Sequence, residues 1–83
     1  MNYPQPWQAE GDYLVATWQL ADFMSALAFV NQVAVLAEKF DHHPDMEIFA
    51  YRQVKLKLTT HETGNQITAK DLELAEKISQ LLA

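Results

Sequence analysis

At 83 residues the chain has room for one hydrophobic core, so residues 1–83 are read as a single domain. Eleven acidic against six basic side chains give a formal charge of −5, which repels a phosphate backbone and argues against direct nucleic-acid binding. Cysteine is absent, which excludes disulfides. No run approaches the ~18 apolar residues of a membrane span, so a cytoplasmic protein with no membrane attachment is expected.

Two of the three prolines lie in Met1 to Pro6, which reads as a lead-in segment. Trp7 to Glu10 is a short strand candidate. Gly11-Asp12 supplies a turn, and Tyr13 to Leu20 alternates, with Leu14, Ala16, Trp18 and Leu20 on one face, so the two segments form a hairpin. Asp22 is a good N-cap, and Phe23, Leu27, Val30, Val33, Ala34, Ala37 and Phe40 recur at helical spacing from Phe23 to Phe40. Phe29, Val35 and Leu36 widen that apolar arc beyond the needs of one sheet face.

Pro44 ends the helical run after Asp41-His42-His43 and biases His43 toward extended backbone. Met46, Ile48 and Ala50 then alternate with Asp45, Glu47, Phe49 and Tyr51, and Val54, Leu56 and Leu58 with Lys55, Lys57 and Thr59, which predicts a second hairpin turning near Tyr51 to Gln53 without a strong turn dipeptide. Lys55 and Lys57 fall opposite Asp45 and Glu47, where cross-strand pairing accounts for them. Thr60 to Gln66 is a polar loop. Thr68 and Asp71 have capping-box spacing and start a last helix near Ala69, with Leu74, Ala75, Ile78, Leu81 and Leu82 as its stripe. The order β-β-α-β-β-α implies an α+β, two-layer fold: a four-stranded antiparallel sheet with helices packed on one face.

A domain this small buries only ~60–65% of the surface its unfolded chain exposes, and small folds commonly recruit disulfides, metals or another subunit. With disulfides excluded and 49% hydrophobic residues, a homodimer or homotetramer is expected.

All three histidines sit at junctions: His42 and His43 after a helix, His61 at a strand end. Imidazoles exchange protons near neutrality, so three at element ends can assemble an acid-base site, although spacing alone does not show that they converge. A metal site built from the histidines and Asp71 is the rival reading. Adjacent histidines on extended backbone point to opposite sides, which argues against it. Asp71 has a sufficient purpose in capping, and Glu38, near a helix end, is expected to face solvent.

Glu38-Lys39-Phe40-Asp41-His42-His43-Pro44, then Tyr51, then Thr59-Thr60-His61-Glu62, then Asp71, resembles the signature of the pterin-4a-carbinolamine dehydratase family. Trp18-Gln19-Leu20-Ala21-Asp22-Phe23 resembles the family's entry into its first helix, with Ala26, Phe29, Val33 and Ala37 fitting its pattern. The resemblance runs over nearly the whole chain from Trp7. It implies loss of water from a 4a-hydroxytetrahydropterin to give the quinonoid dihydropterin, in tetrahydrobiopterin-type cofactor recycling, with no metal or other cofactor. It implies His42 and His61 as the acid-base pair and His43 as the residue that orients the pterin; Asp71 serves either to hold a histidine in one tautomer, as carboxylates do for catalytic imidazoles, or only to cap the last helix. Which histidine is acid and which is base stays open.

Two departures stand out. Six residues separate Pro44 from Tyr51 where the family pattern usually has five, and a β-bulge at the strand start is the simplest accommodation. Met46 stands where several members carry tryptophan. The chain also lacks the N-terminal helix of longer members. Animal relatives serve as dimerisation cofactors for a homeodomain transcription factor, so a non-catalytic interaction module, or an assistant in pterin cofactor metabolism, is the alternative function.

Overall fold

The computed structural model describes residues 3–82. Its elements are β1 (Gln8–Glu10), β2 (Tyr13–Gln19), α1 (Phe23–Phe40), β3 (Asp45–Phe49), β4 (Gln53–Leu58), a 3₁₀ turn (His61–Thr63) and α2 (Ala69–Gln80). The strands form one antiparallel sheet in the order β1-β2-β4-β3. β2 and β4 are therefore central neighbours, although α1 and β3 separate them in sequence. The expected α+β architecture is the observed one, with both helices on one face of the sheet.

Alternation decides which face that is. Leu14 and Ala16 of β2 and Val54, Leu56 and Leu58 of β4 are buried against Ala26, Phe29 and Val33 of α1 and Leu74, Ala75 and Ile78 of α2. Leu14 pairs with Leu58, Ala16 with Leu56 and Trp18 with Val54, so the register brings like faces together. Gly11 takes φ 61 in the turn between Glu10 and Tyr13, the sign that a two-residue hairpin loop favours at its first position.

Three local expectations need correction. Trp7 is not in β1: it is a buried anchor whose indole N–H donates to Ser79 Oγ at 3.0 Å and whose ring meets Trp18 edge-on. On α1 the core line runs through Ala26, Phe29, Val33 and Ala37, while Phe23 and Leu27 lie on the exposed flank. The sequence stripe is wider than one face, so periodicity left its phase open. Finally, pairing from Asp45 through Phe49 is unbroken, so β3 contains no bulge. The length is taken up in the Ala50–Arg52 turn, where Ala50 and Tyr51 have φ of 46° and 51°.

α1 begins where Asp22 accepts the Ser25 amide at 2.7 Å. That backbone hydrogen bond, with a further contribution from the Ser25 side chain, lowers the Asp22 carboxyl below its ordinary range. The helix has eighteen residues and a mean hydropathy of 1.2, enough in length and composition to cross a bilayer. Its buried line nevertheless packs on the sheet, as in the core helix of a globular domain.

Candidate active site

The end of α1 sets two histidines in opposite directions. Asp41 adopts the left-handed conformation, its amide donates to the Glu38 carbonyl, and the His42 amide reaches back to the Ala37 carbonyl at 3.1 Å. This Schellman-type closure satisfies the last carbonyls and turns the chain sharply toward β3. His42 then points inward, 7% exposed, while His43 is exposed. The extended backbone before Pro44 produces that divergence, as the sequence predicted.

His42 meets Asp71 of α2, with Nε2 donating to Oδ1 at 2.6 Å. Asp71 is fully buried, and two further donors reach its other oxygen: the Thr60 hydroxyl and the Thr68 amide, each at 2.8 Å. The Thr68 contact belongs to a capping box, so the capping and supporting roles weighed for Asp71 are compatible. The Thr60 proton is committed to Asp71, so the 2.6 Å contact between the two threonine hydroxyls has Thr68 as donor. A buried carboxylate is tolerable here because three donors replace its lost hydration.

Thr60 also organises the chain after β4. Its carbonyl accepts from the amides of Thr63, Asn65 and Gln66, and its amide donates to the Gln66 carbonyl. The backbone is thereby folded into the 3₁₀ turn that starts at His61. β4 ends at Leu58, so the chain turns at His61 and does not carry it along the face of Lys55 and Lys57. His61 is exposed, and its Nδ1–H donates to Asn65 Oδ1 at 2.8 Å. An amide oxygen only accepts, so the proton sits on Nδ1 and the neutral ring has its lone pair on Nε2.

His43 donates through Nε2 to Glu38 Oε2 at 2.6 Å, with both side chains well exposed. Glu38 does face solvent, but its partner is a second histidine. That pairing, the role of Thr60 at the centre of the network, and the Asn65 contact were missed from sequence. Only the Gly64-Asn65 pair gave a signal, as turn chemistry that did not say what the asparagine side chain reaches.

Two clefts share Lys70. One, of about 280 Å³, is lined by Phe40, His42, Lys70 and Glu73; the other, of about 420 Å³, by Thr60, Glu62, Thr63, Thr68, Ala69 and Lys70. Lys70 also stands 3.8 Å from Glu62. His42 therefore opens on a cleft, Asp71 is behind it, and His61 follows Thr60 directly in the chain. Neither His43 nor His61 lines these two clefts. Among the described residues, no group of three or more His, Asp or Glu side chains converges as a metal ion would need.

A family model for pterin 4 alpha carbinolamine dehydratase matches residues 1–81. The chain belongs to that family. A relative from Thermomicrobium roseum, provisionally named pterin-4-alpha-carbinolamine dehydratase, is 51% identical over 90% of this chain and 78% of its own. One from Chloroflexus aurantiacus with the same provisional name is 46% identical over 92% and 80%. A crystal structure of a transcriptional coactivator/pterin dehydratase from Brucella melitensis superposes with a TM-score of 0.86 at 33% identity, covering 95% of this chain and 84% of that one. A pterin dehydratase-like protein identified as a RuBisCO assembly factor in the alpha-carboxysome shares the fold, with a TM-score of 0.70 at 20% identity over 90% of this chain and 84% of that one.

Proposed function

We propose that this chain dehydrates 4a-hydroxytetrahydropterin to the quinonoid dihydropterin by histidine acid-base catalysis, in recycling of a tetrahydrobiopterin-type cofactor. The observation that carries this reading is the fully buried Asp71, held by three donors and fixing His42 beside a cleft. Family membership supports the substrate class.

The reaction breaks the C4a–O bond. An acid protonates the departing hydroxyl, which leaves as water; a pterin nitrogen lone pair drives its expulsion, and a base removes the proton from the pterin N–H. No electrons are gained or lost overall, so the scheme needs no redox cofactor, and an imidazolium can supply the proton that a metal would otherwise replace. His42 suits the acid: with Nε2–H committed to the Asp71 carboxylate, Nδ1 is the ring atom left to carry a transferable proton. His61 suits the base, because the Nε2 lone pair is its free atom. His43, paired with Glu38, is the residue that orients the pterin.

The protein works in the cytosol as a homodimer or homotetramer. Phe23, Met24, Leu27 and Val35 of α1 and Met46 and Phe49 of the edge strand β3 are exposed apolar side chains, in line with a covered surface in an assembly. The same surface favours one second reading, a non-catalytic interaction module.

Turnover of freshly generated 4a-hydroxytetrahydropterin, followed by ultraviolet absorbance, tests the enzyme directly. Acceleration of dehydration above the buffer rate that His42→Ala abolishes is expected, and chelator should leave it unchanged. A well-folded chain with no acceleration selects the interaction module.

A further inference from the structure

We infer that Asn65 is a positioning residue that selects the tautomer of His61 and so presents Nε2 of that ring as the proton acceptor. The inference rests on the dehydratase reading for its kinetic consequence, but not for its structural one.

Asn65 is held for this task by its backbone. Its φ is 64°, a left-handed conformation that asparagine tolerates better than most side chains. Its amide donates to the Thr60 carbonyl at 3.2 Å. Gly64 before it is also left-handed and caps the 3₁₀ turn, its backbone N–H donating a hydrogen bond to the His61 carbonyl. Two consecutive left-handed residues reverse the chain over one turn, and the reversal brings the Asn65 side chain back over His61, four residues earlier. The 2.8 Å contact between Nδ1 and Oδ1 follows from that path.

The electronic consequence follows from the donor inventory. The amide oxygen accepts only, so it stabilises the ring protonated at Nδ1, in either the neutral or the charged form. In the neutral ring Nε2 then carries the lone pair, and it makes no hydrogen bond to any described residue. The partner matters as well. Asp71 backs His42 with a buried carboxylate, whereas Asn65 backs His61 with a neutral amide dipole that orients the ring without a charge. Two chemically similar side chains thereby receive different backing groups, suited to proton donation by one and acceptance by the other.

The chain of Thr60 hydrogen bonds couples the two sites mechanically. Thr60 Oγ1 holds Asp71, while the Thr60 carbonyl holds the amide of Asn65. One residue thus fixes the backing groups of both histidines.

The test uses the full chain and the variants Asn65→Gly and Asn65→Asp. Glycine keeps the left-handed backbone and deletes the side chain; aspartate keeps the acceptor and adds a charge. Nitrogen-15 NMR of the imidazole reports the tautomer without reference to activity. Wild-type His61 should show a protonated Nδ1 and a bare Nε2, Asn65→Gly should lose that preference, and Asn65→Asp should restore it. In turnover, kcat for Asn65→Gly should fall about 10-fold, the lower end for loss of a group that orients a functional imidazole, with KM changed less. Asn65→Asp should recover tautomer control while altering the pH profile of kcat. A wild-type His61 protonated at Nε2 in the neutral form overturns the inference whatever the kinetics. So does an Asn65→Gly variant that loses the tautomer preference but keeps full kcat. A wild-type protein without turnover sinks the dehydratase reading alone, and the NMR result still decides what Asn65 does to His61.

Discussion

Replacing Asp71 by asparagine keeps the shape of the buried side chain and changes one oxygen into a donor. The surroundings dictate where that donor goes. One oxygen of Asp71 faces the Thr68 amide and the Thr60 hydroxyl, and the other faces His42 Nε2. A backbone amide cannot become an acceptor, so the remaining oxygen must stay toward Thr68 and the new NH₂ group must face His42. To accept from it, His42 has to surrender its Nε2 proton and move it to Nδ1, which inverts the tautomer. The equivalent change in a serine-protease triad drops kcat by about 10⁴ with the geometry intact. Here kcat should fall by about 10²–10⁴, with His42 acting as the acid. Stability should fall by about 1–1.5 kcal/mol, the difference between a charge-assisted hydrogen bond and the neutral one that replaces it. Asp71→Ala should cost about 3–5 kcal/mol, since it strands buried donors. Urea unfolding measures the stability change, steady-state turnover the rate, and nitrogen-15 NMR the His42 tautomer. An Asp71→Asn protein with unchanged tautomer and wild-type kcat refutes the reasoning.

The three histidines should separate kinetically: His42→Ala and His61→Ala lower kcat by about 10²–10⁴, while His43→Ala raises KM more than it lowers kcat, with folding checked by circular dichroism. Ala50→Gly should stabilise the protein by about 0.5–1 kcal/mol in thermal or urea unfolding, because Ala50 sits at φ 46° in an exposed turn that glycine enters without strain; a lower stability would show that the turn conformation is not the costly one. The Asp22 carboxyl is lowered by its cap hydrogen bonds, so its contribution is present above the ordinary aspartate range and disappears as pH falls through the lowered value. Asp22→Asn, which caps without titrating, should flatten that part of the acid limb in a pH series of unfolding midpoints.

Capping chemistry and periodicity made the skeleton legible. Asp22, Thr68 and Pro44 mark helix ends through hydrogen bonds and steric limits within a few residues, and alternation in Leu14–Ala16–Trp18 and Val54–Leu56–Leu58 marks strand faces. Sequence placed α1 correctly, and Val33 and Ala37 of its stripe are buried, but Phe23 and Leu27 are exposed, because an apolar arc wider than one face fits the sheet in more than one rotation. It also assigned the extra length before Tyr51 to a bulge. The pairing that decides between bulge and turn belongs to β4, which lies outside the segment itself.

The candidate site divides the same way. The order of residues around His42, His43, His61 and Asp71 identified the family, and the proline after His43 foretold that the two adjacent histidines diverge. What those side chains touch depended on the tertiary structure. Asp71 reaches His42 across 29 positions and Thr60 across 11, contacts that exist because the first turn of α2 meets the chain just beyond the ends of α1 and β4. Short-range steric preference and hydrogen-bonding capacity are written into each residue and its neighbours. Which buried donor meets which acceptor is fixed only when helices and sheet pack, since desolvation then penalises every arrangement that leaves a polar group alone.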